Sequence, residues 1–333
     1  MREKYLLELG GENTELGKYE ALELFSFKKY SPKLETDNGN IIIISTSKKI
    51  GKSLINRLSM TKRISNIIFT SIKEDIQSIL NDLENINIGD KSFAIRQIGQ
   101  NGLDSEKIAI SIGEKISNKN KIELNNPEIT VLFHQKNKFI ISLCNSDWDT
   151  GYKKCLRHHI SHRPYFSPIS IHPRIARAMV NLSNCNEKEP LIDPFCGTGG
   201  ILIEAADMGI EITGIDLKEK MVEYTKGNLK HYGFEGKLIT SDLEEVINQD
   251  FSSIVCDPPY GIASTTGGEN IEKLMKRSLD IFQRKLGKGQ RLVIAVSNPD
   301  IIKHPNLKLL HKFEWYIHKS LTRNIIVLEK INR

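Results

Sequence analysis

Pro190-Leu191-Ile192-Asp193-Pro194-Phe195-Cys196-Gly197-Thr198-Gly199-Gly200 reads as a short apolar strand that ends in an acid, turns through glycines and runs into the helical Ile201 to Asp207. Glycines at such a turn let the backbone approach a ligand at the carboxyl end of a strand, where open α/β sheets bind. A Gly-x-Gly alone is equally satisfied by a tight strand-to-helix turn, so the following elements decide. Glu211 to Ile215 is a second strand ending in Asp216, 23 residues after Asp193, where a carboxylate can accept both hydroxyls of a ribose. Leu238 to Ser241 is a third, ending in Asp242, and Phe251 to Cys256 a fourth, ending in Asp257-Pro258-Pro259-Tyr260-Gly261.

Right-handed crossovers place Asp193, Asp216, Asp242 and Asp257 along one edge of a parallel sheet. A pyrophosphate would be repelled there and would want Gly-x-Gly-x-x-Gly, which this loop lacks, so a nicotinamide oxidoreductase is a distant reading. A cofactor with ribose hydroxyls, an adenine amine and a sulfonium suits the acids: S-adenosylmethionine. Cys196 and Cys256 are expected to be small buried residues. A helix from Ile271 to Leu286, a strand Arg291 to Ser297 and a closing hairpin, Phe313 to Ser320 with Arg323 to Glu329, bring the strands to seven. This count resembles the Rossmann-like class I methyltransferase domain.

Asp257-Pro258-Pro259-Tyr260 is similar to the Asp/Asn/Ser-Pro-Pro-aromatic signature of methyltransferases acting on amino nitrogens conjugated to a planar ring. Such an amine lends its lone pair to the ring and is a poor nucleophile until acceptors orient its hydrogens. The Asp257 carboxylate and the Pro258 carbonyl can be those acceptors, because prolines fix the backbone and remove competing N–H donors. Tyr260 would stack on the base, a contact worth about 1–3 kcal/mol. In-line proximity to the methyl donor then suffices, with no covalent intermediate.

Composition bounds the rest. The 333 residues carry 47 Lys plus Arg against 41 Asp plus Glu, a net charge of +6, with 39% hydrophobic residues, enough for two or three cores. No apolar run approaches the roughly 20 residues of a membrane span, and no signal-peptide pattern follows Met1, so a cytoplasmic, membrane-free protein is expected. Five cysteines spaced by 11, 30, 11 and 60 fit neither a disulfide framework nor zinc knuckles, so no metal is implied. Three stretches are basic: 38–73 and 150–186 hold no acid, and 301–333 holds seven basic residues against two acids. Such runs favour a polyanion partner.

The first half carries no catalytic cluster. Lys4 to Leu9 and Ile41 to Ser45 read as strands, Glu20 to Phe27 as a short helix and Asp37 to Asn40 as a turn. Ser71-Ile72-Lys73-Glu74 is a capping-box pattern with Ile72, Ile76, Ile79, Leu80, Leu83 and Ile86 following at helical spacing. Ser105 to Ile116 repeats the theme, and Ile129 to Phe133 turns through Gln135 to Lys138 into Phe139 to Cys144. Lys91 to Arg96, Gly102 to Glu106, Gly113 and Glu123 to Pro127 resemble the THUMP domain, an RNA-binding module of tRNA-modifying enzymes that sits beside a ferredoxin-like domain.

With Arg163 to Pro168, His172-Pro173, Asp193 to Gly200, Asp257 to Gly261 and His318 to Arg323, the whole chain resembles the archaeal THUMP-domain tRNA guanosine N2-methyltransferases of the position-10 type. The resemblance implies S-adenosylmethionine-dependent methylation of a tRNA guanosine, giving N2-methylguanosine and the dimethyl form. It also implies a ferredoxin-like unit over 1–60, a THUMP-like module over 61–147, a basic linker over 148–166 and the methyltransferase domain over 167–333. Asp257, Pro258 and Tyr260 are expected to hold the base; Asp193, Cys196, Gly197, Thr198, Gly199, Asp216, Asp242, Leu243 and Tyr165 the cofactor; Lys153, Lys154, Arg157, Arg163, Lys319 and Arg323 the RNA. The expected state is a monomer or weak homodimer, and a small zinc-binding activator is a partner the resemblance allows. Position 6 of tRNA, an adenine N6 or cytosine N4 amine, and a non-catalytic tRNA-binding role stand as alternatives.

Overall fold

The computed structural model describes residues 2–73, 75–99, 105–116, 119–136, 138–167, 170–185, 189–259, 269–319 and 321–331, with only the backbone of Ile76. The chain forms two compact units, one of Met1–Thr14, Lys28–Asn56 and Thr61–Thr150, the other of Glu15–Phe27, Arg57–Met60 and Gly151–Arg333. Helix α1 (Thr14–Phe27), longer than the helix expected from Glu20, thus belongs almost wholly to the second unit.

In the first unit, β1 (Glu3–Leu9), β2 (Lys33–Asp37), β3 (Ile41–Thr46), β4 (Thr61–Ser71), β5 (Phe93–Gln97), β6 (Ile129–Gln135) and β7 (Phe139–Asn145) form one seven-stranded sheet in the order β2-β3-β1-β4-β7-β6-β5. The short helix α2 (Lys52–Ile55) lies between β3 and β4 in the chain. Because β1 pairs with both β3 and β4, the stretches 1–60 and 61–147 share this sheet. Helices α3 (Ile76–Asp82) and α4 (Ser105–Glu114) bury Ile79, Ile108 and Ile112 against Val131, Phe133 and Phe139.

Ser71 does not cap a helix: it ends β4, still paired with Phe139 of β7, and Ile72 is 79% exposed. The cap is Asp75, whose carboxylate accepts the Ser78 N–H at 2.7 Å. Strand pairing outweighed the local pattern. Glu74 lies outside the described residues.

The second unit holds α5 (Gly151–Lys154), α6 (Pro173–Leu182), β8 (Leu191–Asp193), α7 (Gly200–Asp207), β9 (Ile212–Asp216), α8 (Glu219–His231), β10 (Lys237–Thr240), β11 (Ser253–Cys256), α9 (Ile271–Lys285), β12 (Arg291–Val296), β13 (Leu307–His318) and β14 (Leu321–Lys330). Its sheet has seven strands in the order β10-β9-β8-β11-β12-β14-β13. β8 to β12 are parallel, and β14 runs antiparallel between β12 and β13. Alternate residues face opposite ways, as a pleated strand requires. Leu191, Val255 and Val293 pack with α6, α7 and Leu16 of α1, whereas Ile192, Ile254 and Ile294 pack with α9.

Buried charge ties α6 to α7. Arg177 Nη1 donates to Glu204 Oε2 at 2.9 Å and to Asp207 Oδ2 at 2.7 Å, His158 Nδ1 lies 2.8 Å from Glu204 Oε1, and Arg157 pairs with Asp207. The His158, Glu204 and Asp207 ligand atoms lie within 4.8 Å of one another, a spacing that could hold a metal ion, but the two arginines already supply the counter-charge. Removing one partner of such a set strands the other's charge. Arg177→Met is expected to lower the unfolding free energy by about 3–5 kcal/mol in urea titration; a loss below about 1 kcal/mol would mean that the carboxylates find other partners.

Candidate active site

The strand order reverses between β8 and β11: β9 and β10 lie on one side of β8, β11 and β12 on the other. A crevice opens at the carboxyl ends of strands at such a switch point. Asp242, Asp216, Asp193 and Asp257 follow β10, β9, β8 and β11 in that spatial order, and all four line one cavity.

The glycine loop is built around the neighbouring strand's acid. The Gly197 N–H donates to Asp216 Oδ2 at 3.0 Å, the Lys218 N–H to Asp216 Oδ1 at 2.9 Å, and the Cys196 N–H to the Ile215 carbonyl at 3.0 Å. Gly199 takes φ +84°, and a Cβ there would meet Thr225 Cγ2 at 3.0 Å, so both space and backbone demand glycine. From α8, Thr225 donates to the Gly197 carbonyl at 2.8 Å, and the Asn228 amide donates to the carbonyls of Thr198 at 2.9 Å and Tyr165 at 2.7 Å. The Ser170 and Thr198 hydroxyls lie 3.1 Å apart.

Electrostatics at this edge are adverse. Asp193 is 2% exposed and accepts the Phe195 N–H at 3.0 Å. Burial pushes its carboxyl well above the usual range, and the nearby charges of Asp257 and Asp216 push the same way. Burial also raises Asp216, outweighing its two N–H donors. Burial alone would raise Asp242, but the Leu243 N–H and the Arg277 guanidinium hold it below its ordinary value. Burial lifts the Cys196 and Cys256 thiols far above theirs, so neither offers a thiolate. Arg323 Nη2 stands 3.1 Å from Asp257 Oδ2.

Of the residues expected at the cofactor and base, Asp193, Cys196, Gly197, Thr198, Asp216, Asp242, Leu243, Asp257 and Pro258 line the one cavity. Gly199 and Tyr165 are not among the described residues lining it; the Tyr165 ring stacks on Tyr224 with centroids 4.6 Å apart. Tyr260 lies outside the described residues. Lys153 and Lys154 of α5, Arg157, and Lys319 after β13 are exposed. Arg163 and Arg323, expected at the RNA, are instead buried at 5% and 4% exposure, which leaves neither guanidinium at the surface. Arg163 donates from Nε to the His158 carbonyl and packs against Gly200.

The sequence reading missed Thr225, Asn228, Ser170 and Arg277. Thr225 and Asn228 occupy the buried stripe of α8 beside Val222 and Leu229, and polar residues on an apolar stripe were the available signal. Arg277, which pairs with Asp242, Glu244 and Glu269, left no signal in its own helix.

A reversing strand order with an antiparallel hairpin at the end, a glycine loop after the first strand and an acid after each of the next defines a Rossmann-like class I methyltransferase domain. The UPF0020 family model, described as RMKL-like, methyltransferase domain, matches residues 161–315. The chain is 32% identical over 300 residues to the tRNA (guanine(10)-N2)-dimethyltransferase of Methanothermobacter thermautotrophicus, covering 87% of this chain and 88% of that one. It is 30% identical over 356 residues to the enzyme of that name from Methanocaldococcus jannaschii, covering 97% and 99%. The crystal structure of TrmN from Thermus thermophilus shares the fold at a TM-score of 0.55 and 17% identity, covering 98% of this chain and 100% of that one. The chain belongs to the family of these archaeal tRNA (guanine(10)-N2)-dimethyltransferases. Among the described residues, no helix is long and apolar enough to cross a membrane.

A carboxyl raised by folding adds stability below its ordinary value near pH 3.8 and loses it as pH rises through the folded-state value. Asp193→Asn, which keeps the acceptor for Phe195, is therefore expected to raise the thermal midpoint of the ligand-free protein at pH 8, with a gap that narrows toward pH 4. A midpoint lowered at pH 8 would contradict this environment.

Proposed function

We propose that this chain transfers a methyl group from S-adenosylmethionine to the exocyclic N2 amine of a tRNA guanosine, at position 10, giving N2-methylguanosine and then the dimethyl form. The observation that carries this reading is that Asp193, Asp216 and Asp242 meet Asp257-Pro258-Pro259 in one and the same cavity.

The lining fits the donor. Asp216, held by two backbone N–H groups, presents a fixed acceptor pair for ribose hydroxyls, and Asp242 with Leu243 lies one strand further out, where an adenine amine needs an acceptor. Gly197, which lines the cavity, brings no Cβ to the approach, and a cationic ligand would favour ionisation of the buried Asp193 carboxyl. When bound, S-adenosylmethionine supplies an electrophilic methyl on a positive sulfur.

The chain's own part is to hold and orient the amine. The target base must leave the RNA stack, at a cost of a few kcal/mol. The Asp257 carboxylate accepts one amine hydrogen and the Pro258 carbonyl another, turning the nitrogen lone pair toward the cavity. Tyr260 is assigned to the face of the base. As the nitrogen–carbon bond forms, the nitrogen sheds one proton, for which Asp257 is the acceptor in place. Exposed Lys153, Lys154, Arg157 and Lys319 are assigned to the RNA backbone, and the THUMP-like module to the same substrate. The names of the archaeal relatives support guanine over adenine or cytosine.

Unmodified tRNA and labelled S-adenosylmethionine, followed by nucleoside analysis, test the reading. Wild type is expected to yield N2-methylguanosine and N2,N2-dimethylguanosine; Asp257→Ala is expected to lose roughly 10²–10³-fold in rate while still binding the donor. Methyladenosine or methylcytidine as product would overturn the substrate, and an undiminished Asp257→Ala would overturn the site.

A further inference from the structure

Arg323 was expected at the RNA surface, and the fold puts it elsewhere. β12 ends at Val296, paired with Asn324 of β14, so Arg323 is the first residue of β14 to pass the carboxyl edge of the sheet. β12 lies between β14 and β11, and Asp257 follows β11 directly. The Arg323 side chain therefore reaches past the end of β12 to bring Nη2 within 3.1 Å of Asp257 Oδ2, with side chains 5% and 14% exposed. Its backbone is fixed beside that reach: the Asn324 amide donates to the Ser297 carbonyl at 3.0 Å, pinning β14 to the chain leaving β12. Asp257 lines the cavity; Arg323 is not among the described residues that do. The guanidinium thus meets a carboxylate that itself borders the cavity.

Asp257 stands among other acids, where a guanidinium has a definite use. Asp193 at the end of β8 adds negative charge from the adjacent strand, and Asp216 stands one strand beyond. Of the cavity-lining cations, Arg277 from α9 is engaged by Asp242, Glu244 and Glu269, and Lys218 follows β9 on the far side of β8. A protonated carboxyl would offer the amine a competing O–H, whereas an ionised one only accepts. A guanidinium keeps its charge at every working pH and fixes a carboxylate in direction as well as charge.

We propose that Arg323 is a positioning residue of the methyl transfer: it keeps the Asp257 carboxylate ionised and aimed at the cavity. This rests on the assignment of Asp257 as the acceptor for the guanosine amine.

The test compares Arg323→Gln, Arg323→Lys and Asp257→Ala with wild type in the full chain, on unmodified tRNA. It reads kcat, the KM for tRNA and binding of S-adenosylhomocysteine. Arg323→Gln is expected to lower kcat roughly 30-fold or more, as when a buried charge pair is broken, with tRNA KM and S-adenosylhomocysteine binding changed by less than about threefold. The loss should deepen as pH falls, because a carboxylate that has lost its guanidinium partner takes up a proton more readily, and shrink as pH rises. Arg323→Lys, which restores the charge without the fork, should recover most of the rate. A raised tRNA KM at unchanged kcat would return Arg323 to RNA contact, and a loss equal at every pH without recovery by Lys would reduce it to a structural role; either overturns the proposal. If Asp257→Ala keeps the wild-type rate, the assignment of Asp257 itself fails. If Asp257→Ala is slow while Arg323→Gln is normal, only the role of Arg323 falls.

Discussion

Carboxylates gathered at the ends of adjacent parallel strands repel one another, and burial makes the repulsion worse because little solvent screens it. Asp193, Asp216 and Asp257 stand in that relation, and Asp193 is almost wholly removed from water. The edge is therefore poised for positive charge. Part of it comes from the protein, as Arg323 at Asp257 and Arg277 at Asp242. The remainder is open to a cationic ligand, and a methyl donor carrying an ammonium and a sulfonium matches it in sign. Stability given up at such a site is a common companion of binding function.

The architecture around this edge serves to hold it still. The turn after β8 is fixed on one side by the Asp216 carboxylate and on the other by Thr225 and Asn228 of α8, so an acid that lines the cavity also shapes the loop beside it. The β13–β14 hairpin continues the sheet past β12 and carries Arg323 to the Asp257 carboxylate. Helix α1 comes from the N-terminal part of the sequence, yet packs on this unit. Its Glu20 accepts the Ser59 and Met60 N–H groups and the Asn181 amide, and its Glu23 pairs with Arg291. Residues 15–27 and 57–60 are thus part of the catalytic unit.

Much of the catalytic unit was legible because its signals are local. Each parallel strand is a short apolar run closed by an acid, and the Gly197 and Gly199 turn and the Asp257-Pro258-Pro259 block constrain the backbone whatever surrounds them. What escaped depends on contacts distant in sequence. Ser71 began a sound capping pattern but was claimed by pairing with Phe139. β4, whose polar and apolar residues fall in runs and do not alternate, became recognisable only as the strand joining β1 to β7. Arg163 and Arg323 sit in basic stretches that suggested a solvated, phosphate-facing role, and only the fold reveals that both are buried. Charge runs describe the sequence, whereas the partner of a given guanidinium is set by topology.

The account centres on an exocyclic guanine amine held by Asp257 at the acid-lined edge. The most direct measurement of that claim is methyl uptake by a tRNA whose guanosine 10 is replaced by inosine, the same base without the 2-amino group, beside the guanosine form under equal conditions. The account predicts incorporation into the guanosine tRNA and none into the inosine tRNA, with both binding alike. Equal incorporation into the two would place the reaction on another atom or another nucleotide and contradict it.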